Sequence, residues 1–259
     1  MGVLHVLAAA CYCWGVASLR GRPLDWRTGG PVALGILSQS AALLTVADGQ
    51  LAFRNYSLLT ALAFFVLAAL VLNCLLDRRG GFRQAWMALC ALAGCASLLA
   101  LLPLAGRDGQ AEGVAANVHL ILATLAYALF LLSFIQMIDA VSQARRLAKP
   151  GAEAARQGGE MPLLAKEALV FRHITLGFAI LTLTIGTGVA LALLNGEAIE
   201  FDHKNLFAAL TWLFCLALLA GRRWRGWRGR IAFKMFLACN VCLVLSYLGT
   251  VFVLDVLLA

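Results

Sequence analysis

Charge is scarce in this sequence. Only 13% of its 259 residues are Asp, Glu, Lys or Arg, about half the ~25% of soluble domains. Apolar residues reach 62%, against ~45–50% in such domains. A soluble fold of this length has no way to hide that much apolar surface, because ordinary domains keep polar groups over much of their outside. Soluble enzymes, nucleic-acid-binding domains and disordered tails are excluded together. Carboxylates are nearly missing from the apolar stretches, which argues against an ion pump with a carboxylate relay. Proline is rare, five in all, with Pro103 the one near the body of an apolar stretch, so the broken helices of many substrate carriers are not in evidence. No Cys-x-x-Cys-His motif occurs, and the chain is not itself a c-type cytochrome. The N-terminus has neither a basic lead nor a small-residue cleavage site and reads as a retained span.

What remains is a polytopic membrane protein. A bilayer crossing takes ~20 mostly apolar residues, and eight stretches qualify, at about 3–19, 31–47, 57–76, 85–104, 115–138, 174–194, 205–220 and 231–254. The expected fold is all-α, one integral membrane domain over residues 1–259 built as an eight-span helix bundle. Alternate connections collect 18 of the 21 basic residues, leaving only Arg54, Arg107 and Lys204 for the other side. The positive-inside rule then puts both termini outside and four basic connections in the cytoplasm. The net charge of +8 reports orientation, not nucleic acid. The one long cytoplasmic loop, residues 142–172, reads as a basic tether suited to an anionic leaflet.

Few side chains can carry chemistry. Eight cysteines lie in apolar runs, where thiols behave as small hydrophobes. Cys239 and Cys242 have redox or metal spacing, yet they sit inside the last span and read as packing residues. Trp26, Trp86, Trp224 and Trp227 read as interfacial anchors, and Gly177, Gly186 and Gly188 allow close helix approach. Of four histidines, His119 opens span five, His203 opens span seven and His5 lies in the outer turn of span one, all in the outer leaflet. His173 starts span six on the cytoplasmic side. Imidazole is a common axial ligand of haem iron; taken singly, each histidine is more simply a hydrogen-bonded residue at a helix end.

The last part of the chain carries a resemblance. Phe171-Arg-His-Ile-Thr-Leu-Gly177 through Gly188, Asp202-His-Lys-Asn-Leu-Phe-Ala-Ala-Leu-Thr-Trp212, Gly226-Trp-Arg-Gly-Arg230 and Leu245-Ser-Tyr-Leu-Gly-Thr250 resemble the cytochrome c assembly membrane-protein family, the CcsA, CcmC and HemX-like group. The segment His119 to Tyr127 is similar to the family helix that bears an external haem-ligating histidine, and Glu160-Met-Pro-Leu-Leu164 is closest to the small YpjD/HemX-like branch. The resemblance covers residues 115–254, with spans one to four agreeing in number and hydropathy. It implies a bacterial inner-membrane protein that handles haem b at its outer face, with other cytochrome c assembly proteins as partners, an assembly or haem-handling protein more than an enzyme. Where the family has an external Trp-Asp-Pro-Lys-Glu, this chain has Phe201-Asp-His-Lys-Asn205; where it has a histidine before a Thr-Arg pair, this chain has Ala220-Gly-Arg222. His119 is thus the ligand the resemblance retains. His203, at the same expected height, is the partner inferred for it, and Tyr127, two turns below His119, is expected to line the same cavity. A membrane scaffold with a decayed haem site, and more distantly a small-molecule carrier, are the alternatives.

Overall fold

The computed structural model describes residues 2–20, 26–46, 55–56, 58–77, 81–102, 107–108, 114–148, 161–196 and 203–246. They form eight helices: α1 (Gly2–Leu19), α2 (Trp26–Val46), α3 (Leu58–Leu76), α4 (Arg83–Leu99), α5 (Val114–Leu147), α6 (Leu163–Leu194), α7 (His203–Arg225) and α8 (Gly229–Val244). Each falls on one of the eight apolar stretches, as it must where lipid offers no hydrogen bonds and the backbone has to satisfy itself within the helix. Five helices (α1, α3, α5, α6 and α7) are long and apolar enough to cross a bilayer. The apolar part of α2, Gly29–Leu44, and α4 are shorter. Asn55–Tyr56 pairs antiparallel with Arg107–Asp108, joining the α2–α3 and α4–α5 connections.

Helix α5 is the hub, packing on α3, α4, α6 and α8. Helix α1 lies on α2 and α4, and α7 joins α6 to α8. The first three helices are tied by a buried polar link: Tyr12 Oη donates to Gln39 Oε1 (2.8 Å), and Gln39 Nε2 donates to the Ala63 carbonyl (3.2 Å). Leu183, Leu193, Leu194, Leu206 and Leu213 are exposed on α6 and α7, a liability in water and a fit to acyl chains.

Of the loop expected over residues 142–172, the described part is largely helix. Helix α5 runs on to Leu147 and α6 begins at Leu163; residues 149–160 of the expected loop lie outside the described residues. Hydropathy ends the apolar span near residue 138, but Gln, Ala, Arg and Leu are good helix formers, and Arg145 and Arg146 in the last turn of α5 complement its dipole. Pro162 precedes α6 in an extended conformation, its carbonyl accepting from Ala165 N (2.9 Å) and Lys166 N (3.1 Å). At 34 and 32 residues, α5 and α6 are about 50 Å long, well beyond the ~30 Å hydrocarbon core. The last stretch, expected to residue 254, is described only to residue 246.

The turn between α7 and α8 shows why its glycines are there. Gly226 (φ 65°) and Gly229 (φ 55°) occupy the left-handed region. A Cβ on Gly221 would collide with the Trp227 ring. The tryptophan therefore folds back on α7 and closes the turn.

Candidate functional site

Near the first turns of α5, His119 is half-buried against α6. Its Nδ1 lies 3.0 Å from Thr187 Oγ1. That hydroxyl donates its only hydrogen to the Thr184 carbonyl (2.9 Å), so towards the imidazole it can only accept. Nδ1 therefore carries the proton, and Nε2 is left with a lone pair. Gly188 makes the approach feasible: a Cβ there would stand 3.1 Å from His119 Cε1. This is the arrangement of a metal-ligating imidazole whose second nitrogen is anchored by the protein. The glycines of the Gly186-Thr-Gly188 segment differ in role, since nothing lies within 4 Å of a Cβ on Gly186.

The other candidates are set differently. His203 is the first residue of α7 and is exposed. Lys204 beside it lies within electrostatic reach of His119, and α7 is joined to α6 by Trp212 Nε1 donating to Thr182 Oγ1 (3.0 Å) and by Trp212 packing on Phe178 (ring centroids 5.5 Å). Tyr127 turns to α3, where its ring stacks on Phe65 with centroids 5.2 Å apart. Eight residues advance a helix by about 80° beyond two full turns, so Tyr127 and His119 address different neighbours. His5 is buried in α1, and its Nδ1 has no hydrogen-bond partner among the described residues. Cys239 is buried and donates to the Thr211 carbonyl across the α7–α8 contact (3.4 Å), a packing role. Among the described residues, no group of three His, Cys, Asp or Glu is placed to hold a bare metal ion; a haem iron asks for only one or two axial ligands.

The most developed polar cluster is one that reading the sequence passed over. It lies at the other end of α5, where α3, α4, α5 and α6 meet. Asp77, after the last turn of α3, accepts from Gly81 N (2.9 Å), Phe82 N (3.1 Å) and Trp86 Nε1 (3.1 Å), and so ties the α3–α4 turn to α4. Asp139 of α5 pairs with Lys166 of α6 at 3.4 Å, both 2% exposed, and the ammonium lies 5.5 Å from the centre of the Phe82 ring. One turn deeper, His173 Nδ1 meets Gln136 Oε1 (2.7 Å) and Gln136 Nε2 donates to Asn73 Oδ1 (3.1 Å). The available signal was the spacing Ser133, Gln136, Asp139, Gln143, which puts four polar residues on one face of a helix. Hydropathy averages over that face.

Comparison with known proteins adds the following. The family described as cytochrome c assembly protein matches residues 55–258. An "uncharacterized 28.8 kDa protein in nifR3-like 5'region" of Azospirillum brasilense is 28% identical over 258 residues, covering 99% of this chain and 85% of that protein. Inner membrane protein YpjD of Escherichia coli K12 is 33% identical over 89 residues, 34% of each chain. Cytochrome c biogenesis protein CcsA of Prochlorococcus marinus is 38% identical over 93 residues, 33% of this chain and 28% of that one. No solved structure matches.

Proposed function

The chain belongs to the cytochrome c assembly protein family, and from that premise we propose that it is an inner-membrane protein of eight spans, both termini outside, that holds haem b at its outer face. The observation that carries this reading is the His119 imidazole, fixed by Thr187 with its Nε2 lone pair available. The residues fit one axial ligand: the ring is anchored through Nδ1, and Gly188 leaves it room. When bound, haem supplies an iron that one or two imidazoles coordinate. The chain's own part is to orient Nε2 and to keep the group at the side where exported apocytochrome would meet it. His203 is the proposed second ligand and Tyr127 a more distant wall of the same region, reached through its packing on α3. Partners are the bilayer and other proteins of cytochrome c assembly.

Protein purified from haem-replete cells should show a Soret band and redox-dependent visible bands. His119→Ala should abolish them, His203→Ala should weaken or shift them, and His5→Ala should leave them in place. A colourless wild type would overturn the haem reading. It would favour the second one, a membrane scaffold, which the lack of any tryptophan in the short connection after Asn195 supports.

A further inference from the structure

We propose that the basic turn between α7 and α8 binds the phosphate of an anionic phospholipid, held by Arg222 and Arg228. The proposal does not depend on haem. Arg222, Arg223, Arg225, Arg228, Arg230 and Lys234 are gathered in the last turn of α7, the turn itself and the first turns of α8. Among the described residues, Glu167 of α6 is the one carboxylate in ion-pair reach of any of them, its Oε2 3.8 Å from Arg228 Nε. The dipoles at the end of α7 and the start of α8 are opposite in sign, about half a charge each, and offset one another. Six cations less one carboxylate leave five positive charges without a counter-charge.

Orienting the chain in a membrane requires the charges but not their geometry, and here the geometry is fixed. The Arg222 guanidinium lies 3.5 Å from the centre of the Phe171 ring, a stack that holds its planar fork in one place. Trp227 lies on Gly221, and its backbone N–H donates to the Gly221 carbonyl (3.2 Å), so the turn is closed against the end of α7. Arg228 and Glu167 are both within electrostatic reach of Arg222; one carboxylate therefore serves two guanidiniums. It serves them weakly, because Arg228 is 59% exposed and its contact with Glu167 is long. Arg222 Nη1 is covered and has no hydrogen-bond partner among the described residues, which is costly for a charged donor. A phosphate diester shared between the two forks supplies the missing counter-charge and the acceptors.

The surroundings suit a lipid more than a dissolved anion. Trp224 and Ile231 are exposed beside the arginines in sequence, and an exposed tryptophan at the end of a span is an interfacial anchor. On α8, Lys234, Leu237, Val241 and Val244 are exposed at spacings that share one face. A cation thus heads an apolar stripe, and its long stem lets the ammonium reach headgroup level. No opening of the bundle is required, since Arg223, Arg225, Arg228 and Arg230 are exposed and Arg222 is half-buried. A zwitterionic headgroup brings its own ammonium into a field that is already positive, so the site selects against it.

The test is native mass spectrometry of the full-length, delipidated protein in detergent micelles, titrated with phosphatidylglycerol or with phosphatidylethanolamine. Wild type should retain phosphatidylglycerol about tenfold more tightly, the scale of one charge-assisted contact, and millimolar inorganic phosphate should not displace it. Equal retention of the two lipids would overturn the proposal, and displacement by phosphate would show a site for the free anion instead. Arg222→Lys keeps the charge and the orientation signal but loses the stacked fork; it should weaken phosphatidylglycerol binding about tenfold, as should Arg228→Gln. Arg145→Gln, an exposed cation at the end of α5, should leave binding unchanged. An unaffected Arg222→Lys variant, or an equal loss in Arg145→Gln, would reduce the turn to a general positive field and overturn the site.

Discussion

Lys166→Met tests the buried ion pair directly. Lys166 Nζ and Asp139 Oδ1 are 3.4 Å apart with both side chains 2% exposed. At an effective dielectric near 20, their attraction is about 5 kcal/mol. Taking the two charges out of water costs several kcal/mol each, so the intact pair contributes little net stability over an apolar replacement. Removing one partner is a different matter, because the other charge stays in the core; the expected loss is about 3–5 kcal/mol. Asp139→Asn should cost less than Lys166→Met, since the ammonium keeps the Phe82 ring 5.5 Å away, a contact worth about 0.5–2 kcal/mol. The double variant Asp139→Leu with Lys166→Met should recover most of either loss. The assay is reversible unfolding of the purified protein in mixed micelles, read as a double-mutant cycle. Two single variants within about 1 kcal/mol of wild type, or a double variant equal to the sum of the singles, would refute the reasoning that this pair is dry and coupled.

Two further outcomes are expected. Thr187→Val removes the acceptor of His119 Nδ1 while keeping the shape; it should weaken haem retention by about tenfold, the ~1.4 kcal/mol of one good hydrogen bond, with the spectrum otherwise intact, and undiminished retention in a haem-titration assay would show that the hydroxyl does not orient the ring. Reporter fusions at Gly80 and Gly151 should read cytoplasmic and one at Gly196 external, as the 18-to-3 division of basic residues requires; the opposite pattern would invert the topology.

Much of the bundle was legible because a membrane makes sequence and structure nearly proportional. An apolar run must be a helix there, and among the described residues each of the eight runs coincides with a helix. The largest boundary differences, at the end of α5 and the start of α6, are where that proportionality stops. Beyond the hydrocarbon core, charged residues no longer forbid the helix, and propensity together with the Asp139–Lys166 contact decides instead. The candidate site was legible in part for a similar reason. His119 stands out as an imidazole in an apolar run, but its anchor does not: Thr187 is 68 residues away on α6. Tyr127 stacks on Phe65 of α3 while His119 meets Thr187 of α6, a divergence that spacing along α5 alone does not reveal.

Helix α5 therefore carries two chemistries that hydropathy cannot separate. Its first turns present one imidazole whose free nitrogen is dictated by a threonine on α6. Its last turns present a polar stripe in which Gln136 meets Asn73 of α3 and His173 of α6, and Asp139 meets Lys166 of α6. Between them, Ala126, Leu129 and Phe130 are at most 1% exposed, and Gly177 lets α6 close on Phe130. A protein needing only an outer-face haem ligand would have no use for a buried histidine, a buried ion pair and a buried carboxylate at the opposite end, since each is costly at membrane depth. A bulky side chain at Gly177 would prise α6 off the Phe130 plug between the two regions. Because α6 bears both Thr187 and His173, such a change should disturb both ends at once, whereas changes at Gln136 or Thr187 should stay local.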